Sequence, residues 1–128
     1  MNNKGQEIAE LVKSKLGKRY EANAAGPNTF DCSGLAYWAH QQAGIKNIPR
    51  DTSGQSTSVK GTPISVGDLL PGDLLFYDTA GSGRITHTTI YVGGNTMIHA
   101  PQPGEVVKEA DMNSGYWRSR FMGARRYW

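Results

Sequence analysis

Apolar residues recur at helical spacing from Gln6 to Leu16, where Ile8, Leu11, Val12 and Leu16 are separated by polar and charged positions. Gly17 is a natural stop for that helix. A Gly/Pro/Asn-rich stretch through Asn28 reads as loop. A second helix is expected from Cys32 to Ala43, with Leu35, Ala36, Ala39 and Ala43 as its apolar stripe, Asp31 as its N-cap and Gly44 as its end. From Ile48 to Val66 the chain is polar, which predicts loop with one short helical turn. Beyond Pro71-Gly72 the period changes to that of strands, at Leu74–Tyr77, Thr86–Val92, Thr96–Ala100, Val106–Lys108 and Phe121–Tyr127. Helices first and an antiparallel meander of about five strands afterwards predict an α+β fold, with the helices packed on the sheet.

Composition narrows the class. The 128 residues suit one domain, 1–128, able to bury a core of its own. Sixteen glycines and six prolines favour short strands and turns over a helix bundle. No apolar run approaches a membrane span, and the N-terminus has no charged-then-apolar leader. The net charge of +3 is too small and too dispersed to argue for nucleic acid, though it suits a polyanionic surface such as a cell wall. A single cysteine excludes a disulfide framework within the chain.

That cysteine is the first candidate for chemistry. Cys32 is expected on the first turn of a helix, where free N–H groups and the positive end of the dipole favour a thiolate. A nucleophile needs a base, and the base an orienter. His40 lies eight residues further along the same helix, about 12 Å at 1.5 Å per residue, and reads as a surface or structural residue. His87 and His99 sit at the same end of one expected hairpin. Two strand histidines bonded to backbone are the plain alternative. A Cys/His/His zinc site is another, although nothing in the spacing demands a metal. Gly81-Ser82-Gly83 lacks the lysine and the following helix of a phosphate loop.

Register decides whether the two histidines can meet. With Gly94-Asn95 alone as the turn, Gly93 pairs with Thr96 and His99 falls opposite Ile90, on the face away from His87. A three-residue loop, or an equivalent bulge, sets His99 opposite Thr89 and diagonal to His87, about 7–8 Å or less between Cβ atoms. The same register sends Ile90, Val92 and Ile98 together to the other face.

Five motifs in order then resemble the NlpC family of cell-wall cysteine peptidases: Phe30-Asp31-Cys32-Ser33-Gly34-Leu35, Ile48-Pro49-Arg50, Pro71-Gly72-Asp73-Leu74-Leu75-Phe76, His87 through Gly93, and Met97-Ile98-His99-Ala100-Pro101. The likeness runs from Leu16-Gly17 to Arg126. It implies a papain-like fold and a cysteine endopeptidase that cuts peptidoglycan stem peptides, commonly between γ-D-glutamate and a diamino acid. It implies Cys32 as nucleophile, His87 as general base and His99 as the orienting third residue, where papain has an asparagine. It also implies Tyr20 beside the oxyanion, with Asp31, Ser33 and Arg50 lining the substrate site. Plainer roles stand beside these: Tyr20 as core, Asp31 as cap only, Ser33 as a first-turn polar residue and Arg50 as an ion-paired loop residue. Trp117, Tyr127 and Trp128 read as packing. The family often has Tyr-x-Trp-Gly-Gly where this chain has Tyr20-Glu21-Ala22-Asn23-Ala24, so an aromatic wall and two glycines are absent. No cofactor or metal is implied. The expected partner is the peptidoglycan stem and the expected state a monomer acting at the cell wall or outside the cell, as a mature or excised domain, a phage lysin or a secreted effector. Other functions open to the same scaffold are an amidase, an acyltransferase or a catalytically silent wall-binding module.

Overall fold

The computed structural model describes residues 3–128. The first helix, α1, spans Lys4–Lys13, earlier than the periodicity alone places it. Asn3 caps it by accepting a hydrogen bond from the Gln6 N–H at 3.0 Å. Its last turn then loosens into three-residue bonds, from Lys15 N–H to Val12 O and from Leu16 N–H to Lys13 O. Leu16 is therefore exposed rather than part of the buried stripe of Ile8, Ala9 and Val12. Two short strands follow, β1 at Arg19–Tyr20 and β2 at Thr29–Phe30, paired in parallel and absent from the sequence expectation. Two-residue strands carry no detectable period, so nothing local announces them.

Helix α2 spans Cys32–Gln42, and its expected stripe of Leu35, Ala36, Ala39 and Ala43 is fully buried. The short helical turn in the polar stretch is α3, Thr52–Thr57, capped by Asp51. Then come β3 at Thr62–Pro63, β4 at Leu74–Tyr77, β5 at His87–Gly93, β6 at Thr96–His99 and β7 at Lys108–Asp111. A single turn of helix, α4, at Gly115–Arg118 leads into β8 at Phe121–Arg126. Among the described residues the main sheet has six strands, not five, in the order β3-β8-β4-β5-β6-β7. Strands β4 to β7 form the expected meander, whereas β8 returns to the other side of β4 and picks up β3. The strand expected at Val106–Lys108 begins only at Lys108, because Val106 and Val107 turn aside to meet Arg19 and Lys18.

Alternation along the strands divides the interior in two. Leu74, Phe76, Ile90 and Ile98 pack against Ile8, Val12, Leu35 and Ala39, and Val92 adds to that core. Leu75, Tyr77 and Met97 face the opposite side with Met112 and Ala124. His40 is fully buried, not at the surface, and its Nδ1–H donates to the Ala36 carbonyl at 2.8 Å. It is a structural residue. Tyr127 and Trp128 also pack, Tyr127 by donating its hydroxyl to the Gln55 carbonyl and Trp128 by donating its indole N–H to the Gly72 carbonyl at 3.1 Å. The Pro71-Gly72-Asp73 turn starts β4, and buried Asp73 is held by Arg126 at 2.7 Å.

Candidate active site

Cys32 is the first residue of α2 and is half-buried. Asp31 caps the helix, accepting from the Gly34 N–H at 2.6 Å, while its own N–H donates to the Ala24 carbonyl at 2.8 Å. The turn presses so closely on the preceding loop that a Cβ at Gly34 would lie 2.0 Å from the Ala24 carbonyl oxygen. Glycine at 34 is thus a condition of seating Cys32 where it is.

Asp31 has more than a capping role. It accepts from Arg50 Nη2 at 3.1 Å and Nη1 at 3.3 Å, from Ser33 Oγ at 3.3 Å and from the Asn23 N–H at 3.0 Å. Arg50 Nη1 also donates to Ser33 Oγ at 3.0 Å. Asp31, Ser33 and Arg50 therefore form one linked cluster beside the thiol, and each has the others as partners. Tyr20, half-buried on β1, is fixed through its backbone N–H to the Glu105 carbonyl at 3.0 Å. Burial, together with neighbouring Cys32 and Asp31, pushes its phenol pKa up, so at neutral pH the hydroxyl keeps its proton and can donate.

The two strand histidines meet. His87 Nε2 and His99 Nδ1 are 2.8 Å apart, and both rings are buried. The hairpin achieves this by the second of the two expected routes, a bulge. Gly93 does pair with Thr96 across a plain Gly94-Asn95 turn, yet Tyr91 pairs with Met97 and Ile90 with Ile98. Val92 is the extra residue, a bulge that restores the parity a regular two-residue hairpin would have lost. Gly93 at φ +100° makes the bulge possible.

Burial, reinforced for His87 by His99, lowers the pKa of His87 to about 3. For His99 burial again dominates; Lys108 adds to the lowering and Glu105 opposes it, leaving a value of about 4. Both imidazoles are neutral at pH 7. Trp117, on α4, stacks on His87 with ring centroids 5.9 Å apart and planes 21° apart, and meets His99 edge-on at 5.2 Å. A groove of about 530 Å³ opens here, walled by His87, His99, Glu105, Lys108, Tyr116 and Trp117.

Among the described residues Cys32 Sγ has Thr52 Oγ1, at 3.6 Å, as its hydrogen-bond partner, rather than His87. Thr52 Oγ1 is in turn 2.9 Å from Thr88 Oγ1, on the residue that follows His87. Sequence reasoning alone misses Thr52, Thr88 and Gln55; Trp117 packs as expected, but against the two histidines. Gln55 is fully buried and its Nε2 donates to the carbonyls of Ser33 and Pro49, tying α3 to the start of α2. The one available signal is Asp51, whose cap on the Gly54 N–H at 2.8 Å starts α3. No group of three His, Cys, Asp or Glu side chains among the described residues converges as metal ligands would.

The model of the NlpC/P60 family matches residues 17–126. A probable endopeptidase of Corynebacterium glutamicum, Cgl2188, is 45% identical over 75% of this chain and 43% of its own length. Murein DD-endopeptidase MepH of Escherichia coli K12 is 34% identical over 96% of this chain and 47% of its own. The chain thus spans less than half the length of these two relatives. Among solved structures, NlpC2 from Trichomonas vaginalis superposes with a TM-score of 0.89 at 38% identity, covering 100% of this chain and 48% of that one. The NlpC/p60 domain of the peptidoglycan hydrolase SagA superposes with a TM-score of 0.80 at 32% identity, covering 98% and 99%.

Proposed function

This chain belongs to the NlpC/P60 family, with its papain-like fold, and from that premise we propose that residues 1–128 form a single catalytic domain, a cysteine endopeptidase of peptidoglycan stem peptides. The observation that carries the reading is the 2.8 Å His87–His99 bond beside a helix that begins on the chain's one cysteine. His87 Nε2 is engaged by His99, so Nδ1 is the nitrogen left to exchange a proton. For Nδ1 to carry a lone pair, Nε2 must hold the hydrogen and donate it to His99 Nδ1. His99 then acts as a fixed acceptor, and it stabilises the imidazolium once His87 has taken the Cys32 proton.

Sulfur attacks the scissile carbonyl, and the S–H proton passes to His87. The protonated Tyr20 hydroxyl and helix N–H groups hold the oxyanion. His87 returns its proton to the leaving amine as the peptide C–N bond breaks; water deprotonated by the same base then attacks the thioester, whose C–S bond breaks to free the acyl fragment as a carboxylate and restore Cys32. Arg50 engages both terminal nitrogens with Asp31 and Ser33, yet these bonds use three of its five N–H donors and leave capacity for a substrate carboxylate, as a γ-D-glutamyl residue would bring. The favoured bond is the one joining that residue to the diamino acid, at the cell wall or outside the cell.

Mass spectrometry of muropeptides incubated with the protein tests this directly, because product masses identify the bond cut. Cys32→Ala is expected to lower hydrolysis by at least about a thousandfold, to background, while the protein stays folded. Wild-type turnover in that variant overturns the assignment.

A further inference from the structure

We propose that Thr52 is the residue that positions the Cys32 sulfur, with Thr88 orienting the Thr52 hydroxyl. The inference rests on Cys32 being the nucleophile. Thr88 is fully buried, and among the described residues its hydroxyl meets only Thr52 Oγ1, at 2.9 Å. A buried hydroxyl hydrogen without an acceptor is costly, so Thr88 donates to Thr52. The Thr52 hydrogen is then free to point at its other neighbour, Cys32 Sγ at 3.6 Å. The chain of donors runs from Thr88 through Thr52 and ends on sulfur as acceptor.

A donor aimed at sulfur favours the thiolate over the thiol, because hydrogen bonds to an ionised acceptor are the stronger ones. Its hydrogen needs no rearrangement when the S–H proton leaves. Strand β5 supplies both halves of the arrangement. Side chains alternate along it, so His87 faces Trp117 and the groove while Thr88 faces the helices and reaches Thr52. Helix α3 holds its end through the Asp51 cap and the Gln55 bonds to Ser33 and Pro49. The polar stretch between α2 and β4 thereby carries a hydroxyl to the sulfur, a chemical role beyond that of a connecting loop.

The test is alkylation of Cys32 by iodoacetamide as a function of pH, followed by intact mass; the chain's single cysteine makes the readout unambiguous. Thr52→Val keeps the shape and removes the donor. It is expected to slow alkylation at pH 7 about tenfold and to move the pH–rate curve up by about one unit. Thr52→Ser is expected to restore the curve, and Thr88→Val to move it the same way by less. In muropeptide hydrolysis Thr52→Val is expected to lower kcat at unchanged KM. A Thr52→Val protein with the wild-type alkylation curve overturns the proposal, as does a raised KM at unchanged kcat, which would make Thr52 a substrate contact instead. If Thr52→Val does not fold by circular dichroism, Thr88→Val decides: an unshifted curve in that variant is equally fatal. Loss of the peptidase reading is a separate outcome, seen as hydrolysis that survives Cys32→Ala.

Discussion

His99 shows how one side chain can be read two ways until its neighbour is placed. On a strand it is an ordinary buried imidazole; 2.8 Å from His87, and in the peptidase mechanism we propose, it is an acceptor that selects the tautomer of the base. Its required property is a lone pair at the Nδ1 position, not a titratable proton. An asparagine side-chain oxygen can supply such a lone pair, whereas alanine cannot. His99→Asn is therefore expected to retain a substantial part of kcat, and His99→Ala to lose about a hundredfold or more. Both are checked by initial rates on one muropeptide. Equal rates in the two variants would mean that acceptance at this position is not what His99 contributes. The same distinction explains what the sequence could announce at this scale. Cys32 lies beside a cap and a helical stripe, so its place was legible locally. Trp117 has no such frame: α4 is a single turn, and the two histidines its ring meets are 30 and 18 residues away in the chain. The mutual pairing of Asp31, Ser33 and Arg50 was half-legible, since a cap and an ion pair were among their expected roles.

At the scale of elements, the β5–β6 hairpin carries the most information. Alternation alone implied that His87 and His99 could share a face only through a longer loop or a bulge, and Val92 is that bulge. What alternation could not supply was its position, because a bulge is chosen by packing on both faces of the sheet. Here Val92 joins Ile90 and Ile98 on the core while Met97 keeps the other side. The short elements β1, β2 and β3 were illegible for a related reason: each is two residues long and exists by virtue of its partner strand. Gly93 makes the bulge testable. At φ +100° a β-branched residue is strained, so Gly93→Val is expected to cost about 1–2 kcal/mol. The midpoint of thermal unfolding should fall by several degrees. Activity is expected to fall further than stability explains, because a hairpin that escapes the strain by shedding the bulge turns His99 away from His87. Measuring kcat well below the variant's own melting temperature separates the two effects. Full activity there, alongside a lowered melting point, would show that the bulge survives without glycine.

For the molecule as a whole, the three histidines act together whatever their separate roles. His40 is sealed in the core with Nε2 unpartnered among the described residues, and burial lowers its pKa to about 4 against only partial compensation from its bond to Ala36. His87 and His99 are lowered to about 3 and about 4. In each case the folded value lies below the ordinary value near 6.5 that the unfolded chain restores. The unfolded chain therefore binds protons first as pH falls. Stability is fully present above about pH 6.5 and is lost progressively from there towards pH 4. Each buried imidazole contributes a slope of up to about 1.4 kcal/mol per pH unit across that window. Three such groups can consume much of the roughly 5–15 kcal/mol that holds a domain of this size together. Urea denaturation at pH 7.5 and at pH 5.0 is expected to show a large loss at the lower pH, with the m-value unchanged if the unfolded state keeps its compactness. His40→Leu separates the structural share from that of the site. Its ring lies in the core on the helix side, edge-on to Tyr127, apart from the groove that His87 and His99 line. The variant leaves the His87–His99 pair intact and removes one of the three proton-binding steps, so its stability should fall less steeply between pH 6.5 and pH 4. An identical pH slope in His40→Leu and the wild type would show that His40 is as easily protonated in the folded protein as in the unfolded chain.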